Sequence, residues 1–207
     1  MVYLGSVLCS DGSSGSEVSR RIGSARAELD KLSRVWKHAG ISSTRKLNSL
    51  EACVMSKLLF NLHALCLTKV ESRRLDAFHV KCLRQVLRIP HSFYSRASNE
   101  TVLTRAQARP ASQALMERQL LWMGKLAARS DCDPLRQTIF HCGPRRMELK
   151  GPEGRKKRGR PKQNWAQHVY RKAVEVAGND VRLRGLWQGC PSSMAEWDRL
   201  VRQCCRA

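Results

Sequence analysis

Acidic side chains are scarce in this sequence. Of 207 residues, 17 are Asp or Glu and 38 are Lys or Arg, so the formal net charge is +21 and the pI is about 10.4. A domain with a pI above about 9 has the electrostatic signature of a nucleic-acid binder. The alternative is a basic protein that is merely soluble, but the cations also cluster along the chain, which favours a polyanionic partner.

Long apolar runs and a secretory signal are absent as well. No run approaches the roughly 18 apolar residues that a membrane span needs. The nine cysteines are an odd number, and Cys53 and Cys82 occupy apolar helix positions, as reduced cysteines often do. We therefore expect no membrane partner and a reducing compartment, either the nucleus or the cytoplasm.

The sequence also lacks the motifs of common catalytic sites. It has no Asp-Asp pair, no Gly-x-Ser-x-Gly, no His-Glu-x-x-His and no glycine-rich phosphate loop. Metal-assisted nucleotidyl transfer needs paired carboxylates to hold its ions. We therefore predict no catalytic residues, no cofactor and no enzymatic activity for this chain on its own.

Zinc is the metal that the cysteines and histidines of this sequence could bind. Cys132, His141 and Cys142 lie close in sequence, and His168 or Cys190 could complete a ligand set. Zinc sites usually show a Cys-x-x-Cys-like pair at each end, and the sequence has no such pair. We therefore predict no metal site.

The densest positive charge lies between two stretches that are typical of helices. Six of the eight residues in 155–162 are basic and none is acidic. Burying even one unpaired charge costs several kcal/mol, so this basic cluster must lie in water or against a polyanion. We predict that it contacts nucleic acid. Its basic residues are Arg155, Lys156, Lys157, Arg158, Arg160 and Lys162.

Within the basic cluster, Arg158-Gly159-Arg160-Pro161 matches the core of an AT-hook. An extended Arg-Gly-Arg segment can enter the narrow A·T minor groove, where the potential is most negative and glycine lets the backbone approach. Nonspecific contact with phosphates is the main alternative. A nuclear-import signal and a plain linker are the other two.

Hydrophobic periodicity predicts a mainly α-helical fold after a short N-terminal β-strand. Residues 2–9 are rich in β-branched and aromatic side chains, and no partner strand is evident. Three amphipathic helices are predicted within residues 14–89, two of them beginning with capping boxes at Ser14 and Thr68. Because short links join them, we predict an antiparallel three-helix bundle.

The rest of the chain is predicted to be helical around one basic break. Helices are expected over residues 99–108, 111–130, 134–140, 162–177 and 180–188, and a last one from a capping box at Ser193. We divide the chain into a truncated strand, the bundle, a further helical region, a Gly/Pro-containing basic connector and a C-terminal helical region. Their predicted ranges are 1–13, 14–89, 90–143, 144–161 and 162–207.

Two predicted helices carry basic residues along one side. On the third helix, four cations lie within about a quarter turn of one another at about 100° per residue: Arg74, Lys81, Arg84 and Arg88. On the helix over 111–130, a second set recurs at spacings of 4, 3 and 4: Arg118, Trp122, Lys125 and Arg129. We predict that both sets contact nucleic acid.

Trp122 has two interpretations. Its indole could stack on a base or pack on a sugar, as aromatic side chains do in single-strand binders. Alternatively, it is buried against a second layer and its basic neighbours form a charged rim. The apolar residues on several sides of this helix, among them Leu115, Leu121 and Leu126, favour the second interpretation.

Eight groups of residues follow one another in a recognisable order. They are Tyr3-Leu4-Gly5; Arg20-Arg21-Ile22; Leu67-Thr68-Lys69; Arg73-Arg74-Leu75-Asp76-Ala77-Phe78-His79 with Cys82-Leu83-Arg84; Ser98-Asn99-Glu100-Thr101-Val102-Leu103; Arg118-Gln119-Leu120-Leu121-Trp122-Met123-Gly124; Arg158-Gly159-Arg160-Pro161-Lys162 with Trp165; and Glu196-Trp197. Together they resemble the region downstream of the palm in reverse transcriptases of LINE-type (non-LTR) retrotransposons, which are RNA-directed DNA polymerases. The resemblance spans almost the whole chain.

The resemblance implies a function in duplex binding. In that family, a Tyr-Leu-Gly segment lies just beyond the polymerase palm, the following helices form a thumb that grips the template–primer duplex, and a basic connector leads to a C-terminal extension. It therefore implies that this chain binds DNA or RNA duplex as part of a larger multidomain protein, with residues 1–13 at the palm–thumb boundary.

The chain also departs from the family pattern. The catalytic Tyr/Phe-x-Asp-Asp motif has no match here, so polymerase activity is not implied. Lys125 stands where the family often has a histidine, and the zinc knuckle of some relatives is missing. Two other interpretations stay open: a freestanding nuclear protein that binds chromatin through its AT-hook-like segment, and a non-functional remnant of an element.

Overall fold

The computed structural model describes residues 1–3, 5–7, 9, 13–38, 40–143, 146–151 and 164–205. Within these ranges the fold is mainly α-helical with one short pair of strands, so the predicted fold class is confirmed at that level. The chain divides into two compact units, 1–115 and 116–207. Across the described residues, no helix combines the length and apolar character that crossing a bilayer requires.

The N-terminal segment forms a hairpin. Strands β1 (Val2–Tyr3) and β2 (Ser6–Val7) pair antiparallel, with Val2 opposite Val7 and Tyr3 opposite Ser6. Gly5 makes the reversal possible because its φ of +78° is costly for any residue with a Cβ. The expectation of a single strand without a partner over residues 2–9 was therefore wrong, because the segment folds back on itself.

Buried charge fastens this hairpin to helix α1 (Gly15–His38). The carboxylate of Glu17, which is 1% exposed, accepts a hydrogen bond of 2.7 Å from the N–H of Val7 and pairs with Arg20 and Arg21. Both guanidinium groups also donate to the carbonyl of Gly5. Burial tends to raise the pKa of Glu17, but these donors outweigh it and hold that pKa below its usual value.

Two further helical stretches pack against α1 and close the first core. They are α2 (Ser43–Ser49), which continues through a π-helical segment (Leu50–Met55) into α3 (Ser56–Leu58), and α4 (Lys69–Val86). Thr68 and Glu71 form the predicted capping box at the start of α4. The buried apolar residues that these helices share include Leu29, Leu50, Val54, Leu58, Leu75 and Leu83.

Three more helices follow α4: α5 (Ser92–Ser95), α6 (Asn99–Ala106) and α7 (Ala111–Ala127). The first two lie in unit 1, and α7 continues into unit 2. The Asp76 carboxylate on α4 accepts hydrogen bonds from the N–H and hydroxyl of Ser112, at 2.8 and 2.7 Å, and so ties the start of α7 to α4. The boundary between the two units falls inside α7, after Leu115.

His79 makes the stability of unit 1 depend on pH. Burial lowers the pKa of this histidine to about 4, from an ordinary value near 6.5, despite the nearby Asp76. Between these values the unfolded chain binds a proton that the folded chain refuses, so stability falls as the pH falls. From pH 7.5 to pH 5 we expect a loss of about 2 kcal/mol, at about 1.36 kcal/mol per pH unit below 6.5.

Urea denaturation followed by circular dichroism checks this expectation. His79→Leu should remove most of the pH dependence of unit 1 between pH 7.5 and pH 5, whereas the pH dependence that the lowered pKa of the half-buried His168 gives unit 2 should remain. His91→Asn is the matched control, because His91 is exposed and its cap on the N–H of Phe93 can be replaced by asparagine. An equal pH dependence in the parent and in His79→Leu would contradict the assignment.

Unit 2 contains α8 (Pro134–Gln137), α9 (Trp165–Ala177), α10 (Asp180–Leu186) and α11 (Pro191–Cys204). Asp133 and Asn179 are the N-caps of α8 and α10. Two predicted starts were wrong. α9 begins at Trp165 with Asn164 as its N-cap, and α11 begins at Pro191, because proline is preorganised for the first helical turn.

A cluster of aromatic side chains forms the centre of the second core. Trp187 and Trp197 are both 0% exposed, and their rings meet edge to face with centroids 5.4 Å apart. Phe140 and Tyr170 pack edge-on against Trp187 at 6.2 and 5.8 Å. Gly124 on α7 faces this cluster, since a Cβ built there would lie 2.4 Å from Nε1 of Trp197.

Candidate nucleic-acid interface

The solvent-facing side of α4 carries several exposed cations. Arg74 and Lys81 are exposed on it, and Arg88 is exposed just beyond its end. Arg73, which sequence reasoning did not single out, is exposed on the same side. α4 is described in full and exposes no carboxylate: Glu71 is buried, and Asp76 is held by Ser112.

Arg84 is engaged within the chain, and its contact with nucleic acid stays a prediction. Its guanidinium is partly buried and donates to the carbonyls of Pro90 and Ala97, at 3.1 and 2.7 Å, and to the Ser95 hydroxyl at 3.4 Å. These bonds fasten the segment after α4 to the helix. Arg73 therefore replaces Arg84 in the group of exposed cations, and helical periodicity could have found it because it lies about 20° from Arg84 on the helix.

Helix α1 extends the cationic face of α4. Arg74 donates a 3.1 Å hydrogen bond to the Ser19 hydroxyl, and the Gln85 amide donates one of 2.6 Å to the Ser33 hydroxyl. On that side of α1, Arg26 and Lys37 are exposed, together with the acidic Asp30. The "α1–α4 basic face" is therefore made by Arg26, Lys37, Arg73, Arg74, Lys81 and Arg88.

The predicted stripe on α7 is less uniform. Arg118 and Lys125 are exposed, but Arg129 forms a 2.8 Å ion pair with Asp133. Trp122 is half-buried and packs against the second core. This placement favours the interpretation of Trp122 as a packed residue with a charged rim over that of a base-stacking platform.

The basic cluster lies outside the described residues. This holds for Arg155, Lys156, Lys157, Arg158, Arg160 and Lys162, and contact of these residues with nucleic acid stays a prediction. Among the residues that are described, no three His, Cys, Asp or Glu side chains come together as metal ligands. None of the nine cysteines, all of which are described, is joined in a disulfide, and Cys132, Cys142, Cys190 and Cys204 are exposed.

The backbone just after α4 has an unusual conformation at Arg88, a residue of the α1–α4 basic face. After α4, the N–H of Ile89 bonds to the carbonyl of Arg84 at 2.9 Å, and Arg88 adopts a left-handed φ of +54°. This is the helix-ending motif in which glycine is the usual residue. The sequence therefore keeps a charged side chain at a position where the backbone favours glycine.

The function of this chain has to be inferred from its own residues rather than from a known relative. The geometry gives unit 1 a face of exposed cations. No family model matches this chain, and neither a curated protein nor a solved structure is significantly similar to it.

Proposed function

We propose that this chain is a nucleic-acid-binding region that grips duplex DNA or RNA through its phosphates and has no polymerase activity of its own. The observation that carries the proposal is the α1–α4 basic face, where the α4 side exposes cations and no carboxylate and the α1 side adds Arg26 and Lys37 next to a single acidic residue, Asp30. Such a surface gains affinity by releasing counterions from a phosphate backbone. The net charge of +21 acts in the same direction over longer distances.

The finer proposal is a thumb of the kind found in LINE-type reverse transcriptases, followed by a basic connector. Its fold would be the three-helix bundle of residues 14–89, with α1, the α2–α3 stretch and α4 packed on one core. Two bonds from α4 to α1 and a 2.5 Å ion pair between Lys57 on α3 and Glu28 on α1 support this arrangement.

Contacts between the motif residues give the resemblance further support. Gly5 of the Tyr-Leu-Gly motif accepts hydrogen bonds from Arg20 and Arg21 of the next motif. In unit 2, Gly124 of the motif that contains Trp122 faces Trp197 of the last motif. Motif residues that are far apart in sequence thus contact each other in the fold. These contacts are a physical reason for the motifs to occur together in one chain.

The alternative function rests on Arg158-Gly159-Arg160-Pro161. A freestanding chromatin-binding protein would use this AT-hook-like segment as its main contact and would prefer A·T-rich DNA. The thumb-like proposal requires no such preference, because phosphates carry no sequence information. Base composition of the duplex therefore separates the two functions.

Binding of the full chain to a fluorescent duplex tests the proposed function. We expect the variant Arg73→Ala/Arg74→Ala/Lys81→Ala to flatten the slope of log K against log salt by up to about 2.7, from three contacts at about 0.9 each. The matched control is Arg171→Ala/Arg199→Ala/Arg202→Ala, which removes the same charge from exposed positions of unit 2. Equal losses in both variants, or no duplex binding by the parent, would refute the role of the face.

A further inference from the structure

We infer that a pocket at one end of the α1–α4 basic face binds a phosphate group of a nucleic-acid strand. The inference rests on the proposed function and gives it a specific anchoring point. The pocket has a volume of about 150 Å³ and lies between α1, α2 and α4. A single water needs about 10–15 Å³ of such space, so the pocket is large enough for a phosphate group.

The charge around the pocket is entirely positive. Lys37 from the last turn of α1, Lys46 from α2 and Arg88 after α4 contribute to its wall, and no acidic residue does. Within the described part of the chain, none of these three side chains forms a hydrogen bond or an ion pair. Three like charges therefore converge on one concave surface without a protein counterion.

Helix dipoles do not cancel this charge. The C-terminal ends of α1 and α4 lie nearby, and each is equivalent to about −0.5 elementary charge. That gives about −1 against +3 from the side chains, so the pocket retains an excess near +2. A phosphate ester carries a charge of about −1 to −2 at neutral pH, which is the complement of this excess.

The floor of the pocket is held in place by hydrogen bonds. Gln85 donates to the Ser33 hydroxyl at 2.6 Å, and that hydroxyl donates to the carbonyl of Leu29 at 2.7 Å. The Gln85 amide has a second N–H, because a primary amide carries two. Trp36, which is 8% exposed, contributes an apolar wall and a spectroscopic probe at the pocket itself.

Arg88 connects the pocket to the unusual backbone noted above. Its left-handed φ of +54° would suit glycine better, yet the residue is an arginine whose side chain lines the pocket. Asn61, Arg96 and Gln107 share this left-handed backbone, so the conformation by itself assigns no task to Arg88, but it makes glycine a well-tolerated replacement. Arg88→Gly therefore removes the cation while relieving the backbone, which separates loss of binding from loss of folding.

Nuclear magnetic resonance of the full chain with inorganic phosphate tests the pocket. We expect phosphate to shift one tryptophan indole N–H signal, identified as that of Trp36 because it is missing from Trp36→Phe. Lys46→Ala and Arg88→Gly should each weaken phosphate binding about fivefold, as expected for a solvent-exposed ion pair. The control Arg45→Ala, an exposed cation next to Lys46 that does not line the pocket, should change it less than twofold.

Thermal melting accompanies these titrations. Arg88→Gly should melt at or above the temperature of the parent, since glycine adopts the left-handed backbone without strain. Weaker phosphate binding in a protein of equal or higher stability then supports the pocket. An unmoved Trp36 signal, or equal phosphate affinity in the parent, Lys46→Ala and Arg88→Gly, would overturn it.

Duplex binding identifies the source of the phosphate and keeps the two proposals distinguishable. A preference for 5′-phosphorylated over 5′-hydroxyl duplex that Arg88→Gly abolishes assigns a terminal phosphate. An equal loss with both duplexes assigns a backbone phosphate. If Arg88→Gly binds both as well as the parent does, the pocket inference fails and the proposed function stands. If the parent binds phosphate but no duplex, the proposed function fails.

Discussion

Replacing Gly124 by valine is expected to destabilise unit 2 by about 4 kcal/mol or more, because the core has no space for the added side chain. A single Cβ at this position would already lie 2.4 Å from Nε1 and 2.7 Å from Cδ1 of Trp197, and 3.3 Å from Nε1 of Trp187. Both indoles are 0% exposed, so neither can move aside without disturbing the core. Gly124→Ala should destabilise unit 2 by about 2 kcal/mol. Overpacking costs about 3 kcal/mol, and the higher helix propensity of alanine recovers about 1 kcal/mol.

Tryptophan fluorescence during urea denaturation measures this effect directly. Four of the five tryptophans lie in unit 2, so the signal reports mainly on that unit. Gly185→Val is the matched control: Gly185 is also helical and lies in unit 2, but nothing lies within 4 Å of a Cβ built on it. It should change stability by less than about 0.5 kcal/mol. A midpoint for Gly124→Val equal to that of the parent would mean that Gly124 and Trp197 are not packed together.

Removing the basic cluster should have the largest effect on duplex binding. The variant with Arg155, Lys156, Lys157, Arg158, Arg160 and Lys162 all replaced by alanine loses up to six phosphate contacts. At about 0.9 per contact in B-form DNA, the slope of log K against log salt should flatten by up to about 5.4. The α1–α4 basic face remains in this variant, so weaker binding should survive at low salt.

The pair Arg158→Ala/Arg160→Ala separates groove recognition from phosphate contact. If these arginines enter the minor groove, the pair should erase a preference for A·T-rich over G·C-rich duplex and reduce general affinity only modestly. The control Arg155→Ala/Lys156→Ala removes the same charge and should leave such a preference intact. An unchanged salt slope in the six-alanine variant would show that the basic cluster is a solvated spacer.

Local features of this chain could be predicted because they depend on neighbours in sequence. The capping residues Thr68, Ser98, Asp133 and Asn179 each act on backbone groups within three residues, so their side-chain chemistry is sufficient. The apolar faces of α1 and α4 follow from a period of about 3.6 residues, which a sequence displays directly. The predicted starts of α9 and α11 were wrong. Asn164 caps α9, which was predicted to begin at residue 162, and Pro191 begins α11 ahead of the predicted cap Ser193.

The candidate site shows where sequence reasoning ends. Periodicity placed Arg84 on the exposed side of α4, but it could not show that Pro90, Ser95 and Ala97 would take up its donors. The same holds for Arg129, whose charge is met by Asp133. A side chain's availability depends on which acceptors the fold brings near it, and periodicity carries no information about them.

The amino-acid sequence by itself determined the helical class, most helix positions and the strong excess of positive charge, because composition and short-range patterning are sufficient for these. Only the tertiary structure decided the docking of the hairpin by Glu17, the packing of Gly124 on Trp197 and the convergence of Lys37, Lys46 and Arg88 on one pocket. Each of these joins residues from elements that are separated in sequence. Such contacts form because the burial of two cores brings the elements together, and no local pattern encodes which side chains then meet.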